Sequence, residues 1–443
     1  MIIEGYSQFG ATERTAGALR NILDHYRVHA PHTDEPFTEA LLMGIGGGLG
    51  AEYNVMTYTG IDPSHQPHNQ LAIRFHHLQN YTKKQEQIFL SKAAARIGAQ
   101  LTTKYSASRK TAQHFLTNSL QAGKPVMVVL SIWQGIYHHH DIKTKYEQDP
   151  NFFPPLLYDE FVNFLPYYSL PYSWIAEHLV TVYGIDEDAQ KTHISDFSNQ
   201  PVTLTTQQLA ESRGIVKAWK NITYTLDSPQ TKPDLAKAIR LGIWDCVESL
   251  LHEKAIIAGT HYRTEAWHAM ATKISDFKGK RGWLALFPES WQLFDTLTRI
   301  HAQIAFYNSD GGALRSSYAD FLEEASDILK KPELKQIAHQ FSEIGIMWDE
   351  IGTEALNDDI PELLHARQTA LNWHNTFKAH GSVKSNSLDT LSRQLQRIRT
   401  EFSEEPPLNQ RELITLFEEL SDRFHEVYEA EKTALQALWL AMK

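Results

Sequence analysis

The stretch Glu177–Phe197, EHLVTVYGIDEDAQKTHISDF, predicts a β-hairpin that places a histidine beside an aspartate. The β-branched and aromatic run LVTVY is typical of a short buried strand, polar DEDAQ supplies a turn, and HISDF alternates as a second strand. His178 and Asp196 then lie at neighbouring ends of paired strands, where a carboxylate orients an imidazole as the base of a nucleophile–His–acid triad. On spacing alone, the alternative is favoured: His178 only begins a strand and Asp196 only caps a turn.

Composition excludes several classes of protein. The chain has 443 residues, of which 42% are hydrophobic and 21% charged, as in a globular protein of two or three domains. A net charge of −11 argues against nucleic-acid binding. No apolar stretch reaches transmembrane length, and MIIEGYSQFG lacks the pattern of a signal peptide. The single cysteine, Cys246, rules out a disulfide within the chain, so we expect a cytoplasmic protein that does not contact a membrane.

The segment Thr12–Arg27 has apolar residues at helical spacing, and Thr12 or Thr15 is the expected N-cap. A nucleophile at the start of a helix benefits from the positive end of the helix dipole. The segment offers Ser7, Thr12 and Thr15 as hydroxyl groups there and contains no cysteine.

Five glycines lie close together in EALLMGIGGGLGAEY, Glu39–Tyr53. Dense glycines permit positive φ and close backbone approach, so we keep four candidate binding positions, namely Gly46, Gly47, Gly48 and Tyr53. A phosphate loop is the weaker interpretation, because no Lys-Ser/Thr follows and no strand–helix frame surrounds the glycines. A tight turn that leads into a strand at Ala51–Thr59 is favoured.

Two further stretches carry residues with metal-binding or nucleophilic chemistry. His138–His140 are adjacent, so one strand cannot turn all three toward an ion, and we expect a polar loop and no metal. The aromatic, proline-broken segment that follows, up to Trp174, either lines an apolar pocket beside His178 or packs on its own aromatic residues. Cys246 lies among apolar residues of a predicted helix and is favoured as a buried side chain.

The order of elements predicts an α+β domain followed by a helical region. Helix Thr111–Gly123 precedes the buried strand Pro125–Trp133, which is typical of an α+β core. Ile222–Pro233 has the composition of a linker. Beyond it, period-3.6 patterns predict helices at Leu235–Leu251, Thr264–Asp276, Trp283–Tyr307, Ala313–Leu329, Glu333–Leu356, Pro361–Lys378, Leu388–Phe402 and Arg411–Met442. We expect an α+β domain over residues 1–224, a helical domain over 234–356 and a helical extension over 357–443.

The segments ALRNIL, LLMGIGGGLGAEY, PVMVVLS, HLVTVYGID and ISDFSNQPVTLTTQQLAESRG, in this order, resemble the N-terminal domain of the butirosin biosynthesis protein H family of secondary metabolism. Asn308–Leu329, NSDGGALRSSYADFLEEASDIL, resembles a domain of unknown function often fused behind it. The resemblance covers roughly Gly5–Leu356. It implies a papain-like fold, no cofactor, and transfer of an acyl group from a carrier-protein thioester to an amine. Of the family's proposed Cys, His and Asp, the last two match His178 and Asp196.

The position of the nucleophile does not match. The family's His-Cys pair precedes the ALRN motif and falls here on Glu13 and Arg14. A guanidinium stays protonated and has no lone pair to attack with. The resemblance therefore favours a silent or altered homologue, a pseudoenzyme, that binds a ligand or partner. In it Glu13 and Arg14 are binding residues, and Arg14 pairs with Asp196 or with an anionic ligand.

The alternative is an active acyltransferase or hydrolase that uses a displaced nucleophile, Thr15 or Ser7. The partners that the resemblance implies are an acyl carrier protein or a small-molecule amine. The long, charged helix Arg411–Met442 packs either on this chain or on a second copy in a homo-oligomer.

Overall fold

The computed structural model describes residues 1–58, 68–76, 88–131, 177–214, 220–229, 231–252, 255–257, 259–306, 309–381 and 385–443. The histidine run His138–His140 and the aromatic segment up to Trp174 lie outside these ranges. Within them the fold is mixed, with two antiparallel sheets and a helical C-terminal region, which confirms the α+β class. No helix in the described part is long and apolar enough to cross a membrane.

Two sheets are built from the ten strands of the described residues. The strands are β1 (Leu49–Tyr58), β2 (His68–His76), β3 (Gln100–Lys104), β4 (Val126–Ser131), β5 (Glu177–Asp186), β6 (Lys191–Ser195), β7 (Val202–Thr205), β8 (Thr223–Asp227), β9 (Ile256–Ile257) and β10 (Thr260–Tyr262). The larger sheet has the order β3-β8-β4-β5-β6-β7, and the smaller has β2-β1-β10-β9. Neighbouring strands in both are antiparallel.

The helices of the C-terminal half follow the predicted apolar periodicities closely, whereas α2 was not predicted and includes Gly44 and Gly46 of the glycine-rich stretch. They are α1 (Arg14–His25), α2 (Glu39–Gly46), α3 (Ile88–Arg96), α4 (Arg109–Gln121), α5 (Thr206–Gly214), α6 (Leu235–Val247), α7 (Glu265–Ile274), α8 (Trp283–Leu286), α9 (Ser290–Ala305), α10 (Arg315–Leu329), α11 (Glu333–Ala355), α12 (Pro361–His380), α13 (Ser385–Glu404) and α14 (Gln410–Met442). One predicted helix, Trp283–Tyr307, is broken in two. Glu289 begins the second part with a capping box. Its side chain accepts from the backbone N–H of Gln292, and the side chain of Gln292 accepts from the backbone N–H of Glu289.

The predicted linker Ile222–Pro233 is wrong over its first half. β8 lies inside the larger sheet, between β3 and β4, with Tyr224 and Leu226 buried. Alternation of these two side chains with threonines suits a strand that is covered on one face. The expected boundary at residue 224 therefore falls within a strand, while the division into three domains stays a prediction.

The two halves share one apolar core. Strands β9 and β10 belong to the helical half of the sequence, yet β10 pairs with β1, so that Tyr53 lies opposite His261. α2 packs against α1 and α3 and also against α6 and α10 of the helical half. A single cluster of buried apolar residues runs from Ile3 to Met442. The helical half thus completes the covering of the N-terminal strands.

Candidate functional site

His178 and Asp196 are in hydrogen-bond contact, as the hairpin predicted. Nε2 of His178 lies 2.9 Å from Oδ1 of Asp196, and both residues are at least 95% buried. His178 lies on β5 opposite Leu130 of β4, and Asp196 directly follows β6, which pairs with β5. The imidazole ring lies 5.7 Å from the ring of Phe197. When Nε2 donates to a carboxylate, the imidazole keeps its lone pair on Nδ1 and can act there as a base.

The start of α1 lies beside this pair. The backbone N–H of Ala11 donates to the carbonyl of Phe197, the residue after Asp196, over 3.3 Å. Two turns into α1, Nδ2 of Asn21 donates to Oγ of Ser195 over 2.8 Å, while its Oδ1 accepts from the N–H of Phe9. These contacts hold both ends of the Ala11–Asn21 stretch against the strand that leads to Asp196.

Glu13 is the N-cap of α1, which corrects the expectation that Thr12 or Thr15 has this role. Its Oε2 accepts from the backbone N–H groups of Thr15 and Ala16, over 2.9 and 2.7 Å. Oε1 is buried and has no hydrogen-bond partner. Burial raises the pKa of Glu13, and its bonds to those N–H groups and the charge of Arg14 oppose the rise.

A second carboxylate, Glu39 at the start of α2, also serves the start of α1. Its Oε2 accepts from the backbone N–H of Thr12 at 2.9 Å and of Glu13 at 3.1 Å. Burial raises the pKa of Glu39 to about 7, and the charge of Glu13 adds to the rise. Four N–H groups at the start of the helix are therefore satisfied by two carboxylates of this chain. No local pattern in the sequence indicates this role of Glu39, because its partners lie more than 20 residues earlier in the chain.

The three remaining candidates at this end of the molecule differ in accessibility. Arg14 is the first residue of α1 and is 7% exposed. Thr15 is fully buried, and its backbone N–H donates to the carboxylate of Glu13. Ser7 is half-buried in the segment before the helix. A hydroxyl that is fully buried inside the protein is poorly placed to attack a substrate.

The glycine-rich candidates lie elsewhere, and protein atoms fill the space around them. A Cβ on Gly46 would stand 2.3 Å from the ring of Phe89, and one on Gly48 would stand 2.7 Å from the ring of Tyr318. Gly47 follows α2 directly as its C-cap. Tyr53 is buried, and its hydroxyl accepts from Nε1 of Trp283 over 3.3 Å. The binding role of these four residues stays a prediction, but the turn into β1 is confirmed.

Cys246 and the metal predictions are separate from this site. Cys246 is fully buried, and burial raises the pKa of its thiol to about 11, as suits a structural side chain. Among the described residues, no group of three or more His, Cys, Asp or Glu side chains is arranged to hold a metal ion.

A family model described as a domain of unknown function, DUF4872, matches residues 207–371. The matched range begins in α5, includes β8 and the Asn308–Leu329 segment, and ends in α12. No curated protein matches the chain.

Proposed function

We propose that the protein is a catalytically silent relative of the butirosin biosynthesis protein H acyltransferases and that it binds a ligand or partner without transforming it. The observation that supports the proposal is the double capping of α1. In a papain-like acyltransferase, the positive start of this helix stabilises a thiolate. Here the carboxylates of Glu13 and Glu39 accept hydrogen bonds from four backbone N–H groups at the start of α1.

The charge at this position argues against covalent chemistry for a second reason. Arg14 occupies the place of the expected cysteine and stays protonated, so no acyl group can be attached there. A new anion at this place, such as a thiolate or an oxyanion, would be repelled by the negative charge of Glu13. The backbone N–H groups that could stabilise it already donate to the carboxylates. The His178–Asp196 pair remains, but a general base without a nucleophile transfers nothing.

A ligand of this site is expected to resemble the family's substrates. A small-molecule amine or an acyl group on a carrier protein is the class that the resemblance implies. His178 would hold either by hydrogen bonding, with Asp196 fixing the ring.

The test is acylation with an activated thioester, the N-acetylcysteamine thioester of acetate, followed by peptide mass spectrometry. We expect no stable adduct on the natural chain. Arg14→Cys should gain an adduct at position 14, and Glu13→Gln combined with Arg14→Cys should gain more, because a neutral cap no longer disfavours the thiolate. Cys246 is the internal control and should stay unmodified, since it is fully buried.

His178→Ala in the Arg14→Cys background tests whether the site is that of a former acyltransferase or only an accidental arrangement of residues. If the imidazole activates the introduced thiol, this change should slow acylation at least tenfold. An adduct on Thr15 or Ser7 of the natural chain would overturn the silent-site proposal and establish the displaced-nucleophile alternative instead.

A further inference from the structure

The turn that follows Asp196 is clamped between the N-terminal segment and the last turn of α12. On the N-terminal side, Nε2 of Gln8 donates to the carbonyls of Ser198 and Gln200, over 2.8 and 2.6 Å. A Cβ on Gly10 would stand 2.9 Å from the carbonyl oxygen of Phe197, so that backbone approaches this turn closely. These contacts fix one face of the turn.

The other face of the turn is held by the carbonyl of Lys378. It accepts from the backbone N–H of Asn199 over 2.8 Å and from the hydroxyl of Ser198 over 3.2 Å. Lys378 lies in the last turn of α12, where helix carbonyls have no partner within the helix. The turn after Asp196 therefore supplies donors that the helix end requires, and the two segments stabilise each other.

Gly381 closes this contact. It is the C-cap of α12, with φ +53° and ψ −137°, a backbone conformation that is essentially restricted to glycine. A Cβ there would stand 3.1 Å from Oγ of Ser198 and 3.2 Å from the carbonyl oxygen of Pro201. A glycine is thus required both for the backbone conformation and for the close approach to the turn.

The same end of α12 also contacts the Asn308–Leu329 segment, which lies in the range matched by the domain of unknown function. Nζ of Lys378 lies 2.6 Å from Oδ2 of Asp310, and His374 lies 3.9 Å from Oδ1 of the same carboxylate. Asp310 directly precedes Gly311 and Gly312, and the N–H of Gly312 donates to Asp349 on α11 over 2.7 Å. A continuous set of contacts therefore leads from the helical core to Ser198, two residues after Asp196.

We propose that Lys378–Gly381 is a positioning contact for the His178–Asp196 pair, through which the helical half sets the geometry of the candidate site. The proposal rests on the proposed function only in taking this pair as the centre of the cleft. Both residues contact the Phe197–Gln200 turn, so they act on the pair through this turn.

The test follows the hydrogen-bonded ring proton of His178 by NMR, which requires no ligand. The resonance is assigned by its loss in His178→Gln. Gly381→Ala should displace the turn, so we expect the resonance to disappear or move upfield as the contact to Asp196 lengthens. The matched control is Gly123→Ala, at the end of α4, which has φ +71° with no neighbouring atom within 4 Å of the added Cβ.

Both variants carry a backbone penalty and should lose stability, but only Gly381→Ala should change the His178 resonance. An unchanged resonance in folded Gly381→Ala, or its loss in both variants, overturns the proposal. If Gly381→Ala does not fold, Ser198→Ala decides by the same criterion, because it removes one donor to Lys378 without backbone strain. This result is independent of the acylation experiment, so each proposal fails by its own measurement.

Discussion

Arg315 and Glu431 form a fully buried ion pair that joins α10 to α14. Nε of Arg315 lies 2.6 Å from Oε1 of Glu431, and both side chains are at most 1% exposed. The carboxylate also accepts from Nε1 of Trp267 over 2.9 Å and from Nε1 of Trp348 over 2.8 Å. The guanidinium donates to the carbonyls of Gly50 and Phe75, on the N-terminal strands. The two halves of the chain therefore meet at one saturated polar cluster.

Glu431→Gln should cost about 3–5 kcal/mol of unfolding free energy, because it leaves the charge of Arg315 buried without a counter-ion. Urea denaturation measures the loss. The control is Glu350→Gln, which breaks the exposed pair with Arg423 and should cost less than about 1 kcal/mol. Equal losses in the two variants would mean that water reaches the cluster.

The helical half was predictable because each helix has an apolar stripe of its own. Glu333–Leu356 was expected and Glu333–Ala355 is found, and Arg411–Met442 was expected where Gln410–Met442 is found. β8 was missed because its five residues, TYTLD, give a weak local signal, and its partners β3 and β4 lie about 100 residues away in sequence. Such a strand is specified by tertiary pairing more than by its own composition.

The candidate site was predictable only where its residues lie close in sequence. The hairpin brought His178 and Asp196 together because a short turn fixes the pairing of its strands. The cap at Glu13 was assigned to neighbouring threonines, since those side chains are the usual N-caps and glutamate is not. The role of Glu39 depends on how α1 packs against α2, which no local pattern contains.

Stability should fall as pH rises from about 4.5 to about 7, in part through Glu39. Burial raises its pKa to about 7 in the folded chain, so the folded state binds the proton more tightly than the unfolded state across this window. Glu39→Gln removes the ionisation. It should reduce the difference in unfolding free energy between pH 5 and pH 8, measured by urea unfolding, by about 1–3 kcal/mol. Glu13, whose pKa is raised too, keeps part of the slope.

The matched control is Glu333→Gln, because Glu333 also begins a helix but is exposed, and its pKa is lowered by its bond to the helix backbone. This variant should keep the natural slope between pH 5 and pH 8. A Glu39→Gln protein with an unaltered slope would show that the carboxylate ionises freely in the folded state.

Gly46→Ala should destabilise the protein by about 1–3 kcal/mol, although alanine usually favours a helix over glycine. The added Cβ would overlap the ring of Phe89, which is itself 2% exposed. Thermal denaturation measures the change, and Phe89→Leu in the same chain should recover part of it by making room. A stabilised Gly46→Ala protein would reveal open space at this position and would favour the ligand-binding role of the glycines.

Asp196→Asn should change the tautomer of His178 with little change in the fold. A carboxylate only accepts hydrogen bonds and so selects the ring form that carries its proton on Nε2, whereas an amide can also donate to Nε2 and permits the other form. The nitrogen shifts of the ring, measured by NMR and assigned with His178→Gln, should move toward the tautomer protonated on Nδ1. The circular dichroism spectrum should stay unchanged, because Asp196 lies just beyond β6 and asparagine has nearly the same size. Ring shifts that match those of the natural chain would mean that contacts other than Asp196 orient the imidazole, and the pair would then lose its standing as the relic of a catalytic base.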